Sequence, residues 1–96
     1  MRVRFTAKLW LYPGDAAWHF ITVPKKESEK IRVQAKKIRR GWGSVRVSAK
    51  IGKTRFDTSV FPDSKSGTYL LPVKVAVRRK EGIDPGDPVS VSLIFI

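Results

Sequence analysis

Apolar and polar residues alternate over most of this chain. Val3, Phe5, Ala7, Leu9 and Leu11 are separated by Arg2, Arg4, Thr6, Lys8 and Trp10. That period of two predicts a strand with one buried face and one charged face. Tyr12-Pro13-Gly14-Asp15 predicts a turn. Trp18, Phe20 and Thr22 then alternate with His19, Ile21 and Val23, a second strand antiparallel to the first, and Pro24 ends it. From Lys25 to about Gln34 the period changes to that of a short helix. Glu27 and Glu29 lie near its positive end, and Ile31, Ala35 and Ile38 recur at i, i+4 and i+7. A continuation to Arg40 stays open at this level; Gly41-Trp42-Gly43-Ser44 stops any helix.

Alternation returns with Val45, Val47, Ala49 and Ile51 between Arg46, Ser48 and Lys50. Gly52-Lys53 is a two-residue turn compatible with type II′, so Thr54 to Phe61 is the hairpin partner. Pro62 to Gly67 is a loop of turn residues. Thr68 to Leu71 favours a strand, and Pro72 has φ pre-set for a first helical turn. That predicts a second helix from about Val73, with Val73, Ala76 and Val77 on its apolar face, Arg78, Arg79 and Lys80 at its negative end, and Gly82 as its left-handed stop. Asp84-Pro85-Gly86-Asp87 is a turn, and Val89, Val91, Leu93 and Phe95 alternate with serines and isoleucines in a last strand.

Two segments match. Phe20-Ile21-Thr22-Val23-Pro24 and Tyr69-Leu70-Leu71-Pro72 each lead into a basic helix, and the two prolines stand 48 positions apart in a chain of 96. The pattern predicts one domain over residues 1–96, mainly β with two short helices, closed into a small β-barrel with internal pseudo-twofold symmetry. The predicted core includes Phe5, Leu9, Phe20, Val47, Phe56, Leu71, Val77, Val91 and Leu93.

Composition narrows the classes. Hydrophobic residues make up 42% of the chain, as in a folded domain rather than a disordered one. No apolar run approaches the ~20 residues of a membrane helix, and the basic start is not followed by a signal-peptide core. A cytoplasmic protein without membrane contact is the expectation, in keeping with the absence of cysteine. The net charge is +12, and Lys25 to Arg55, with twelve Lys and Arg against two acids, carries +10 of it. A regional excess of that kind points to nucleic acid or an acidic protein as partner.

The run Leu71-Pro72, Arg78, Gly82-Ile83, Gly86-Asp87 is similar to the swapped-hairpin motif of the AbrB/MazE/MraZ-like DNA-binding proteins. Over nearly its full length the chain resembles a bacterial family named domain of unknown function 1905. The residues that carry this are Trp18-His19-Phe20, Val23-Pro24, Gly41 to Val45, Thr58 to Pro62, Tyr69 to Lys74, Gly82-Ile83 and Gly86-Asp87. The resemblance implies a double-split β-barrel, here with both halves in one chain and hence a monomer, and implies no established activity.

Catalytic and metal chemistry lack their residues. There is one His and no Cys, and His19 has no nucleophile motif beside it. Asp84 and Asp87 are explained by the turn. The expectation is a non-enzymatic module without cofactor. Its candidate site is a cationic surface of Lys36, Lys37, Arg39, Arg40 and Arg46 with Trp42 at its edge, suited to an anionic ligand or nucleic acid because cations meet phosphate and an aromatic ring stacks on bases. Arg78, Arg79 and Lys80 are the next place to look. A protein-interaction or regulatory role, and a small-molecule pocket in the barrel mouth, are the alternatives.

Overall fold

Eight elements alternate along the chain as the period changes predict. They are β1 (Arg2–Leu11), β2 (His19–Val23), α1 (Lys25–Lys37), β3 (Val45–Ile51), β4 (Thr54–Asp63), β5 (Thr68–Pro72), α2 (Val75–Glu81) and β6 (Pro88–Phe95). The computed structural model describes residues 2–14, 17–38 and 43–96. The strands close into a barrel in the order β1-β2-β5-β4-β3-β6, every pairing antiparallel. Closure depends on β1 and β4 each changing partner along their length: residues 2–8 pair with β6 and residues 9–11 with β2, and residues 54–60 pair with β3 and residues 61–63 with β5.

The internal symmetry is written in the strand registers. Exchange β1 with β4, β2 with β5 and β3 with β6, and the barrel order is unchanged. The pairs follow without a slip: Val3 opposite Leu93 becomes Phe56 opposite Ala49, and Leu9 opposite Ile21 becomes Pro62 opposite Tyr69. Thr22–Leu70 and Ala49–Leu93 each map onto themselves, so the pseudo-twofold axis passes through those two pairs. The same exchange carries Pro24 onto Pro72.

Alternation decides what fills the barrel. Val3, Phe5 and Leu9 of β1, Val45, Val47, Ala49 and Ile51 of β3, and Val89, Val91 and Leu93 of β6 are buried together with Ile21, Val23, Val60, Tyr69 and Leu71. α1 adds Ile31 and Ala35, and its buried Ser28 is pinned twice. Ser28 Oγ donates to the Val23 carbonyl at 2.9 Å and accepts the Tyr69 N–H at 3.0 Å, which ties α1 across the β2–β5 seam.

Several expectations need correction. Phe20 and Phe56 are half-buried: Phe20 stacks with Trp18 outside the core, and Phe56 packs against the core from the rim. Ile38 is 48% exposed because α1 ends at Lys37, leaving Ile38 as the cap residue. Pro72 does not start α2. It is the last residue of β5, opposite Phe20, so α2 begins at Val75 with Lys74 as its cap. Val73 is buried ahead of the helix, Ala76 is exposed, and Val77 alone of the three faces inward from α2. The predicted stop at Gly82 is observed, with φ +60. The Asp84–Asp87 turn is also as expected, since the Asp87 carboxylate accepts the Asp84 N–H at 2.8 Å. In the first turn Asp15 lies outside the described residues, as do Gly41 and Trp42 of the break after α1.

Candidate functional site

Three segments far apart in sequence meet because β2 pairs with β5 and β5 with β4. One is the lead-in to β2, Ala17-Trp18-His19. Another is the turn from β5 to α2, Pro72 to Arg78. The third is the outer face of the β4–β3 ladder, where Ser59 stands opposite Arg46. Between them lies a groove of about 630 Å³, lined in part by Trp18, His19, Arg46, Phe61, Lys74 and Arg78. Its size is that of a small-molecule site. The barrel interior itself is filled by the core, so this concavity lies outside it.

The backbone turns sharply to aim the first wall. Ala17 has φ +52, the left-handed region that a residue with a Cβ rarely adopts. Two bonds hold it there: the Tyr12 N–H donates to the Trp18 carbonyl at 2.8 Å, and His19 Nδ1 lies 2.9 Å from the Ala17 carbonyl oxygen. A carbonyl can only accept, so Nδ1 is the donor in this contact. The His19 carbonyl accepts the Val73 N–H at 3.0 Å and thereby fixes the second wall against the first. In that wall Arg78 reaches back along α2 to donate to the Val73 carbonyl at 2.7 Å.

An aromatic shelf extends the groove. Trp18 stacks on Phe20 with ring centroids 5.8 Å apart and planes 8° from parallel. Phe20 in turn touches Trp10 and Tyr12. Trp10 is anchored by its indole N–H, which donates to Thr22 Oγ1 at 2.9 Å. Trp18 is 52% exposed and Phe61 44%, so two faces of the shelf remain open beside the cations. Among the described residues no Asp or Glu lines the groove.

The symmetry-related end of the molecule is built differently. There the Arg32 guanidinium donates to the Gly67 carbonyl at 2.9 Å and pairs with the Glu29 carboxylate, beside the buried Tyr69. The cation is spent on the protein itself.

The sequence-predicted surface is divided by the fold. Arg46 is exposed and lines the groove. Lys36 and Lys37 are exposed in the last turn of α1. Arg39, Arg40 and Trp42 lie outside the described residues. Arg78 is half-buried and bonded to a backbone carbonyl rather than being a solvated helix end, while Arg79 and Lys80 are exposed. Sequence reasoning passed over Trp18, His19, Phe61 and Lys74 as groove residues. The signal for the first was present: a Trp-His-Phe run in a strand whose two faces both carry apolar groups.

Among the described residues no group of His, Cys, Asp and Glu could hold a metal ion, and no helix is long and apolar enough to cross a membrane. No curated protein matches the chain. The family model described as a domain of unknown function (DUF1905) matches residues 5–93, and the chain belongs to that family.

Proposed function

We propose that the chain is a non-enzymatic binding module whose groove takes an anionic ligand bearing a flat apolar ring. One observation carries this reading: Arg46, Lys74 and Arg78 line the same groove as the exposed Trp18 and Phe61, with no carboxylate among the described lining residues. Guanidinium and ammonium groups next to an aromatic plane suit a ligand with a charged end and a stacking end. The chain's +12 charge favours anion encounter throughout.

The test separates ring from charge. Adenosine 5′-monophosphate, adenosine and inorganic phosphate are titrated at low salt, with tryptophan fluorescence and calorimetry as readouts. The nucleotide should bind at least tenfold more tightly than either fragment. Trp18→Ala and Arg46→Ala, both at exposed positions, should each weaken it several-fold with the melting temperature nearly unchanged. No binding of the nucleotide at millimolar concentration, or binding indifferent to both variants, would overturn the reading.

A further inference from the structure

The groove does not end at Arg46. Arg46, Ser48 and Lys50 share the outward face of β3, because alternate residues of a strand point the same way. From Arg46 to Lys50 is about 13 Å along the strand. Arg55 on the neighbouring strand donates to Ser48 Oγ at 3.0 Å, so its guanidinium lies over the middle of that path. At the far end a shallow depression of about 500 Å³ is lined by Arg4, Thr6, Lys50, Ser90 and Ser92 among others, with no carboxylate among the described lining residues. The registers line these groups up: Arg4 stands opposite Ser92, Ser92 opposite Lys50, and Lys50 opposite Arg55.

Lys50 and Arg55 are therefore like charges directly opposed in a ladder, an arrangement that costs stability. A bound anion would relieve it. The Ser92 hydroxyl stands between Arg4 and Lys50, and the hydroxyls of Thr6 and Ser90, bonded to each other at 3.2 Å, lie two residues further along the same ladder; such groups are neutral donors of the kind that contact phosphate oxygens. The Glu81 carboxylate, near this end, is occupied by Thr54 Oγ1 at 2.6 Å and the Lys53 N–H. Asp57, opposite Ser48, is the one carboxylate in the ladder beside the path.

We infer that the outer face of β3 joins the groove to this depression as a single track for a single-stranded nucleic acid, with a base stacked at Trp18 and successive phosphates on Arg46, Arg55, Lys50 and Arg4. The inference rests on the groove reading above for its first nucleotide and extends it to a polymer. The length fits: 13 Å holds several phosphates at the ~3.4 Å axial spacing of a stacked strand. A single strand is selected over a duplex because the open ring of Trp18 needs an unpaired base.

The experiment compares adenosine 5′-monophosphate with a single-stranded oligoadenylate hexamer and the same hexamer in duplex form, by fluorescence anisotropy and calorimetry at several salt concentrations. The single strand should bind at least tenfold more tightly than the mononucleotide. Its log K should fall with log salt at a slope of about −3, from four contacts at about 0.7 each. The double variant Arg4→Ala, Lys50→Ala should cut hexamer affinity about tenfold or more and flatten the slope by about 1.4, leaving mononucleotide affinity unchanged. Asp57→Asn should tighten the hexamer only. Equal affinity for hexamer and mononucleotide overturns the track while leaving the groove reading intact. Retained, variant-sensitive hexamer binding without mononucleotide binding would do the reverse. Loss of hexamer binding in Lys36→Ala, Lys37→Ala with no effect of Arg4→Ala, Lys50→Ala would put the polymer elsewhere, and a duplex bound as tightly as the single strand would also overturn the proposal.

Discussion

Tyr69 shows how one position links the core to solution conditions. It is fully buried on β5 under α1, and its backbone N–H donates to Ser28 Oγ. Burial raises its phenol above the usual value near 10, the Arg32 charge opposes that rise, and the Glu29 charge adds to it. A raised folded pKa means the native state holds the proton more tightly than the unfolded chain. The stabilisation is present in full below the unfolded value and is lost as pH climbs past about 10. The parent should accordingly lose melting temperature between pH 9 and 11 more steeply than a Tyr69→Phe variant, with matched scans as the check. Leu93 marks the other kind of residue effect. It lies on the pseudo-twofold axis opposite Ala49 with no exposure, so Leu93→Ala leaves a cavity with little room to collapse. A loss of about 2–5 kcal/mol in urea unfolding is expected.

At the scale of elements, α2 is placed by its two ends rather than by its own seven residues, too few to be stable alone. Its start is held by the Arg78–Val73 and Val73–His19 bonds, its end by Glu81 reaching the β3–β4 turn. Gly52 makes that latch feasible: its φ is +58, and a Cβ there would overlap the Glu81 carboxylate. Gly52→Ala should cost about 1–2 kcal/mol from the left-handed backbone alone. Combined with Glu81→Ala, the total loss in urea unfolding should fall short of the sum by at least about 0.5 kcal/mol, because both changes break the same contact. The strands of this molecule were legible in advance since period two in β1, β3 and β6 has no competing explanation. Pro72 misled because a proline suits a first helical turn and a strand end equally. What distinguishes them is the pairing with Phe20, a long-range fact with no local trace. The groove was illegible for the same reason. Trp18, Arg46, Phe61 and Arg78 are strangers in sequence, and only the closure of β2 on β5 and β5 on β4 makes them neighbours.

For the whole molecule, the exchange symmetry has a consequence for connectivity. Arg2 is paired with Ile94, so the first and last strands run side by side with their free ends adjacent. Under the half-exchange, the gap between β6 and β1 corresponds to the two-residue turn between β3 and β4. The barrel therefore has two equivalent places to be open, and the chain uses one. A permuted chain that joins residue 96 to residue 2 through a short Gly-containing linker and starts at Lys53 would run β4-β5-α2-β6-β1-β2-α1-β3. That order traces the same sheet with the halves in reverse. Permutation is tolerated where few contacts cross the new opening and the old ends lie close together. The contact at risk is the Glu81 latch, and Thr54 Oγ1 would still be there to hold it. The permutant should melt cooperatively, several degrees below the parent, with the same far-ultraviolet spectrum. It should also retain the groove, because the β2–β5, β4–β5 and β3–β4 pairings that bring Trp18, Arg46 and Arg78 together are unchanged. Calorimetric melting and nucleotide titration of the permutant are the checks. A chain that stays unfolded would mean that the tight β3–β4 turn, and not the symmetric register alone, is needed to close the barrel.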